Sequence, residues 1–157
     1  MRIALLVCFA LLALPAFAIG WSSYENGRFG YQSAIPPGFS GYGESENGDG
    51  RIYDRPGTMQ TLSLWGAHML AESFEAEVAA SIGYAERDGF NISFQTVTPQ
   101  WAVFSGVMGD RQFTRRMILL CDRMSTASMT LQFSSRDAAD IRDIEQRLAQ
   151  EFRTTGC

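Results

Sequence analysis

The spacing of apolar positions changes along the chain, and each change marks an element. In "RFGYQSAI" (28–35), Phe29, Tyr31, Ser33 and Ile35 fall on every second position, and Pro36-Pro37-Gly38 end the run. That pattern predicts a strand with a hard stop. "RIYD" and "MQTLSLW" predict two further strands joined across Pro56-Gly57. From Glu72 to Asp88 the period lengthens: Phe74, Val78, Ile82 and Ala85 recur three and four apart, with Glu72, Glu75 and Glu77 in front and Gly89 behind. This is an amphipathic helix with acids where its dipole favours them.

Alternation returns at Phe90, Ile92 and Phe94, at Trp101, Val103, Ser105 and Val107, in "MILLC", and at Met129, Leu131 and Phe133. Gly109-Asp110 and Asp122-Arg123 stand where tight hairpin turns are needed. "MILLC" is apolar throughout, which predicts a central strand covered on both faces. Ser134 to Asp137 has the Ser-x-x-Asp form of a capping box and opens a last helix. Its apolar face is Ile141, Ile144, Leu148 and Phe152, with Arg147 and Arg153 toward the negative end. The order is three strands, a helix, four strands, a helix. Because the strands arrive in hairpin-connected runs, the expected class is α+β: a mostly antiparallel sheet of about six to seven strands covered by two amphipathic helices.

The N-terminus belongs to none of these elements. Arg2 precedes an apolar run from Ile3 to Leu14, then Pro15 and the small-x-small triplet Ala16-Phe17-Ala18. That layout predicts a secretory signal peptide over 1–18, cleaved after Ala18. The run is shorter than the ~20 residues a spanning helix needs, so no transmembrane span is expected after cleavage. What remains, 19–157, is expected to be a single α+β domain in a secreted or periplasmic protein.

Charge narrows the chemistry. Removing residues 1–18 takes Arg2 with it and leaves 12 arginines against 17 carboxylates, a formal charge of −5. No lysine occurs, which excludes Schiff-base chemistry, a lysine base and a P-loop lysine. The negative balance argues against nucleic acid as a partner. Two cysteines survive cleavage, Cys121 and Cys157, and in an oxidising compartment the even pair predicts a disulfide. They lack the C-x-x-C spacing of a redox pair.

Few residues invite chemistry. The stretch "GYGESENGDGRIYDRPG" (41–57) holds Glu44, Glu46, Asp49 and Asp54 among five glycines. It fits no EF-hand register: counting from Glu44 puts Asp49 sixth and Arg55 twelfth, and counting from Asp49 puts Asp54 sixth. It reads as a solvated turn region, with weak calcium binding through Glu44, Glu46 and Asp49 as the alternative. His68 is the only histidine, and a hydrolase reading would pair it with Ser63 or Ser105. "AVFSGVM" is not a G-x-S-x-G elbow, however, and reads as strand interior. Trp65 and Trp101 are expected as core or rim aromatics, with a pocket between them as the functional alternative. Arg115 and Arg116, adjacent on a strand, must face opposite ways and so cannot clamp one anion together. With Arg111 and Arg123 they are expected to flank a hydrophobic strand and protect it from aggregation.

"YENGRFGYQSAIPPGF", followed by "NGDG", "LSLWG" and "WAVFSG", resembles a group of small secreted bacterial proteins of uncharacterised function. The aromatic-Gly-Tyr strand ending at Pro-Pro-Gly-Phe is also similar to the opening of PsbP-like domains. That resemblance implies an antiparallel sheet between helices and carries over no catalytic residue. The expected function is a non-enzymatic binding or accessory module without a cofactor. Its expected partner is an envelope protein or a small ligand held between sheet and helix.

Overall fold

The computed structural model describes residues 20–157; the expected signal peptide, Cys8 included, lies outside the described residues. Ten strands and two α-helices follow in the order β1 (Ser22–Asn26), β2 (Tyr31–Ile35), β3 (Ser40–Glu44), β4 (Gly50–Asp54), β5 (Thr61–His68), α1 (Phe74–Arg87), β6 (Asn91–Val97), β7 (Trp101–Met108), β8 (Arg111–Leu119), β9 (Ser125–Ser134), α2 (Ala138–Glu151) and β10 (Arg153–Thr154). A single 3₁₀ turn, Ser135–Asp137, leads into α2. The class is α+β with a seven-stranded antiparallel sheet, as the periodicity predicts.

The strand order of that sheet is β3-β4-β5-β9-β8-β7-β6, and β1, β2 and β10 form a separate three-stranded sheet. The expected order of three strands, helix, four strands, helix therefore undercounts. β1 and β3 are short, and their exposed positions show no apolar alternation: all five residues of β3 are exposed. β10 has two residues and forms because β2 is there to receive it, Arg153 opposite Gln32 and Thr154 opposite Tyr31.

The two faces of the large sheet carry two cores. On one face Leu62, Leu64, Met129, Leu131 and Ile118 pack against Tyr31, Ile141, Leu148 and Phe152 from the small sheet and α2. On the other face Ala102, Phe104, Phe113 and Met117 pack against Phe74, Val78 and Ala85 of α1. β8 supplies both cores in alternation, so "MILLC" is indeed covered on both sides up to Leu120. Helix α1 starts at Ser73, whose side chain accepts from the Ala76 N–H, and ends before Gly89 at φ +97°. The two sheets approach closely at Gly66: a Cβ there would come within 2.5 Å of the Phe29 ring. Glycine lets the β1–β2 turn rest on β5.

Candidate functional site

The expected disulfide exists in the structure. Cys121, in the turn after β8, is bonded to Cys157. The bond pins the C-terminal segment beside the end of β8 and defines one wall of a cleft of about 460 Å³. The other walls are the β6–β7 turn with Trp101, the end of β8, and β10. Three arginines line it, Arg116 from β8, Arg123 from the turn and Arg153 from β10, and no aspartate or glutamate does.

Each arginine reaches the cleft for a local reason. Register places Trp101 opposite Ile118 and Val103 opposite Arg116, so Arg116 points to the α2 side of the sheet, where the Trp101 ring lies 5.2 Å from its guanidinium carbon. Its Nε is buried without an acceptor among the described residues, and burial lowers its pKa from the ordinary arginine value. Arg123 occupies the left-handed region at φ +57°, alone among described non-glycine residues. The turn that holds it there is closed by Arg123 N–H donating to Leu120 O at 2.9 Å, and Asp122 Oδ1 accepts from the Met124 and Ser125 N–H groups. Arg153 lies beside Gln32, whose amide, turned so that its oxygen faces the guanidinium, accepts from Nε and Nη2 at 3.0 Å each. None of the three has a carboxylate within 4 Å among the described residues, where the ion pairs are Arg28–Asp49 and Arg51–Glu44.

Arg115 and Arg116 face opposite ways, as expected, on β8, an interior strand between β7 and β9. The guanidinium end of Arg115 is largely buried beside α1, although the residue as a whole is only partly covered. It donates from Nε to Thr130 Oγ1 and from Nη1 to Ser81 Oγ, each at 2.8 Å.

The other sequence candidates do not assemble. Trp65 stands opposite Ser128 and therefore on the α1 side of the sheet, while Trp101 stands on the α2 side, so they share no pocket. His68 and Ser63 lie on opposite faces of β5, and Ser105 is three strands away on β7. Ser105 instead meets Thr114 Oγ1 at 3.0 Å, and Thr114 donates to Glu145. His68 does contact a serine: its Nδ1 lies 2.8 Å from Ser125 Oγ, which donates to Asp122 Oδ2 at 2.7 Å. The order is Asp–Ser–His. The serine proton is committed to the carboxylate, so Ser125 accepts from the His68 Nδ1–H, whereas a nucleophile would give its proton to histidine. Ser125 is also fully buried. Its hydroxyl and the Met124 N–H hold the Asp122 carboxyl below its ordinary pKa. The trio caps a turn.

The carboxylates of 44–49 are likewise engaged by protein groups. Glu44 Oε1 accepts from the Tyr24 hydroxyl at 2.7 Å and from Asn26 Nδ2 at 3.3 Å, and Oε2 faces Arg51 at 3.4 Å. Asp49 Oδ2 accepts from Asn47 at 2.6 Å, while Oδ1 lies 2.8 Å from Arg28 as an ion pair without hydrogen-bond alignment. Glu46 is exposed. No three His, Cys, Asp or Glu side chains converge on a metal position among the described residues. Buried Asn26 also donates to Gly48 O at 2.8 Å, so this hairpin is a latch between the two sheets.

Sequence reasoning named Trp101 and the cystine separately and brought neither them nor the three arginines together. A signal was available, since Arg123 is two residues from Cys121 and Arg153 four from Cys157. A bond between those cysteines carries both arginines with it.

This antiparallel α+β architecture, a seven-stranded sheet with a small second sheet and two helices, is the PsbP-like fold. The chain is similar in structure to cyanobacterial PsbP (CyanoP) from Synechocystis sp. PCC 6803, with a TM-score of 0.63 at 12% identity, over 96% of this chain and 98% of that one. It is equally similar to the Ran-binding protein Mog1p of Saccharomyces cerevisiae, at 0.63 and 8% identity, over 85% of this chain and 95% of that one. At these identities the likeness concerns the fold alone. No protein family model and no curated protein sequence matches the chain. Among the described residues, no helix is long and apolar enough to cross a membrane.

Proposed function

We propose that this protein is an exported, non-enzymatic accessory module that binds a protein partner of the cell envelope through the cleft beside Cys121–Cys157. The observation that carries the reading is the cleft's composition: three arginines and the part-exposed Trp101, without an aspartate or glutamate in the lining, on a chain that is acidic overall. Uncompensated cations bordering a half-open recess are what a partner surface completes. Two further points support it. The signal-like leader and the cystine both suit an oxidising compartment outside the cytosol. Among the structural neighbours, Mog1p is a Ran-binding protein, so the architecture is used for protein recognition elsewhere.

The hydrolase alternative, His68 with Ser63 or Ser105, has no geometry behind it, and the calcium alternative competes with Arg28 and Arg51 for the same oxygens. The test is affinity purification of tagged mature protein from the envelope, in parallel with Trp101→Ala. A partner that co-purifies with the wild type and disappears with Trp101→Ala supports the reading. Equal recovery with both proteins places the interface elsewhere and refutes it.

A further inference from the structure

We infer that the cleft recognises an extended acidic segment of its partner, a peptide whose aspartate or glutamate carboxylates meet Arg116, Arg123 and Arg153. The inference rests on the binding-module reading above and adds the chemical class of what is bound.

Four features point the same way. First, three arginines from three separate pieces of chain, β8, the 121–124 turn and β10, line one cleft. A run of carboxylates can address all three. Second, Arg116 lines the cleft with no carboxylate within 4 Å among the described residues. A ligand carboxylate supplies the charge-assisted bond that its guanidinium lacks there. Third, Arg123 sits in a backbone conformation for which glycine is the comfortable residue. A strained arginine at the rim is a pointer to use of its side chain. Fourth, β10 is the edge strand of its sheet and lines the cleft. An extended segment laid beside it gains backbone hydrogen bonds as well as ion pairs.

Trp101, part exposed at the cleft, also offers its ring to a bound segment, a contact that a small anion leaves unused. The remainder of the chain enforces specificity. With a formal charge of −4 over the whole sequence, the protein repels polyanions everywhere except where cations outnumber acids.

The experiment is isothermal titration of the mature, oxidised protein with a hexaglutamate peptide, and separately with glutarate and inorganic phosphate. The expected result is saturable peptide binding that weakens steeply as salt rises from about 0.05 to about 0.5 M. Arg116→Met and Arg123→Gly are each expected to weaken it about tenfold. Both remove a strained or unsatisfied group, so both should fold. Arg142→Ala, on the exposed face of α2, is expected to leave binding unchanged. Absence of peptide binding, insensitivity to Arg116→Met and Arg123→Gly, or equally tight binding of phosphate or glutarate would each overturn the inference. If the peptide fails while an envelope partner still depends on Trp101, only the ligand class falls and the binding-module reading stands.

Discussion

The guanidinium carbon of Arg116 lies 5.2 Å from the centroid of the Trp101 ring, and no acceptor among the described residues meets its buried Nε. Holding that N–H unsatisfied carries a cost within the fold. Arg116→Met keeps the aliphatic stem over the ring and removes the unsatisfied N–H. We expect the variant to be more stable than the wild type by about 0.5–1 kcal/mol, read as a rise in the urea midpoint at an unchanged slope. A fall of similar size would mean that the guanidinium stabilises the free protein.

Arg115, one residue earlier, should behave in the opposite way. Its two hydrogen bonds tie β9 to α1, and the hydroxyl of Thr130 is buried with it. Arg115→Met leaves those hydroxyls without their partner, and a loss of about 1–3 kcal/mol is expected. Partner binding at the cleft should survive, because the cleft is on the other side of the sheet. Circular dichroism melts of the 115 and 116 variants, run side by side, check the contrast.

The tyrosines of the first core give the fold a steep alkaline limit. Burial pushes Tyr24 up to about 12 and raises Tyr31 and Tyr53 as well. A raised folded-state pKa means that the unfolded chain loses the phenolic proton first. The contribution is therefore complete below about pH 10 and is lost as pH climbs toward 12. Urea midpoints measured between pH 8 and 11.5 should be level at first and then drop. Tyr24→Phe should drop less over the same interval, although it starts lower for want of the bonds to Glu44 and Asn26.

Export and oxidation make a joint prediction. Mature protein should begin near Ile19, contain one cystine and show no free thiol under denaturing conditions, because Cys8 leaves with the leader. Retention of residues 1–18 would add one titratable thiol. Reduction opens a loop with a sequence separation of 36. For a loop of that size the chain-entropy account assigns the bond about 4 kcal/mol. Reduced protein should melt well below oxidised protein, and the cleft, which β10 walls, should lose partner binding with it.

Most of the fold was legible because it follows from periodicity. β2, β4, β5, β7, β8, β9 and both helices carry apolar residues at period two or at three- and four-residue spacing, and each has a buried face. β3 was not legible: its sequence, SGYGE, is exposed throughout, and the strand exists only because β4 pairs with it. β10 was hidden for a related reason, since two residues cannot show a period. The site was half legible. Trp101 and the cystine could be named from the sequence, but Arg116 was read only as flanking a hydrophobic strand. Which strands end up interior is decided by β9 inserting between β5 and β8, a long-range pairing that local pattern does not encode. Glu44 and Asp49 were read as a solvated turn region, with calcium binding as the alternative. Acidic residues in a glycine-rich turn invite a cation, and here Arg28 and Arg51 fill that role.

The most direct test of the cleft as the working surface is site-specific photo-cross-linking in living cells. A photoreactive residue at Gln100, on the cleft rim, is compared with one at Ile52, an exposed position on the far face of the large sheet. The expected result is a discrete cross-linked species from position 100, absent from position 52 and lost when Arg116→Met is added. Cross-links of equal strength from both positions, or from position 52 alone, would contradict the account.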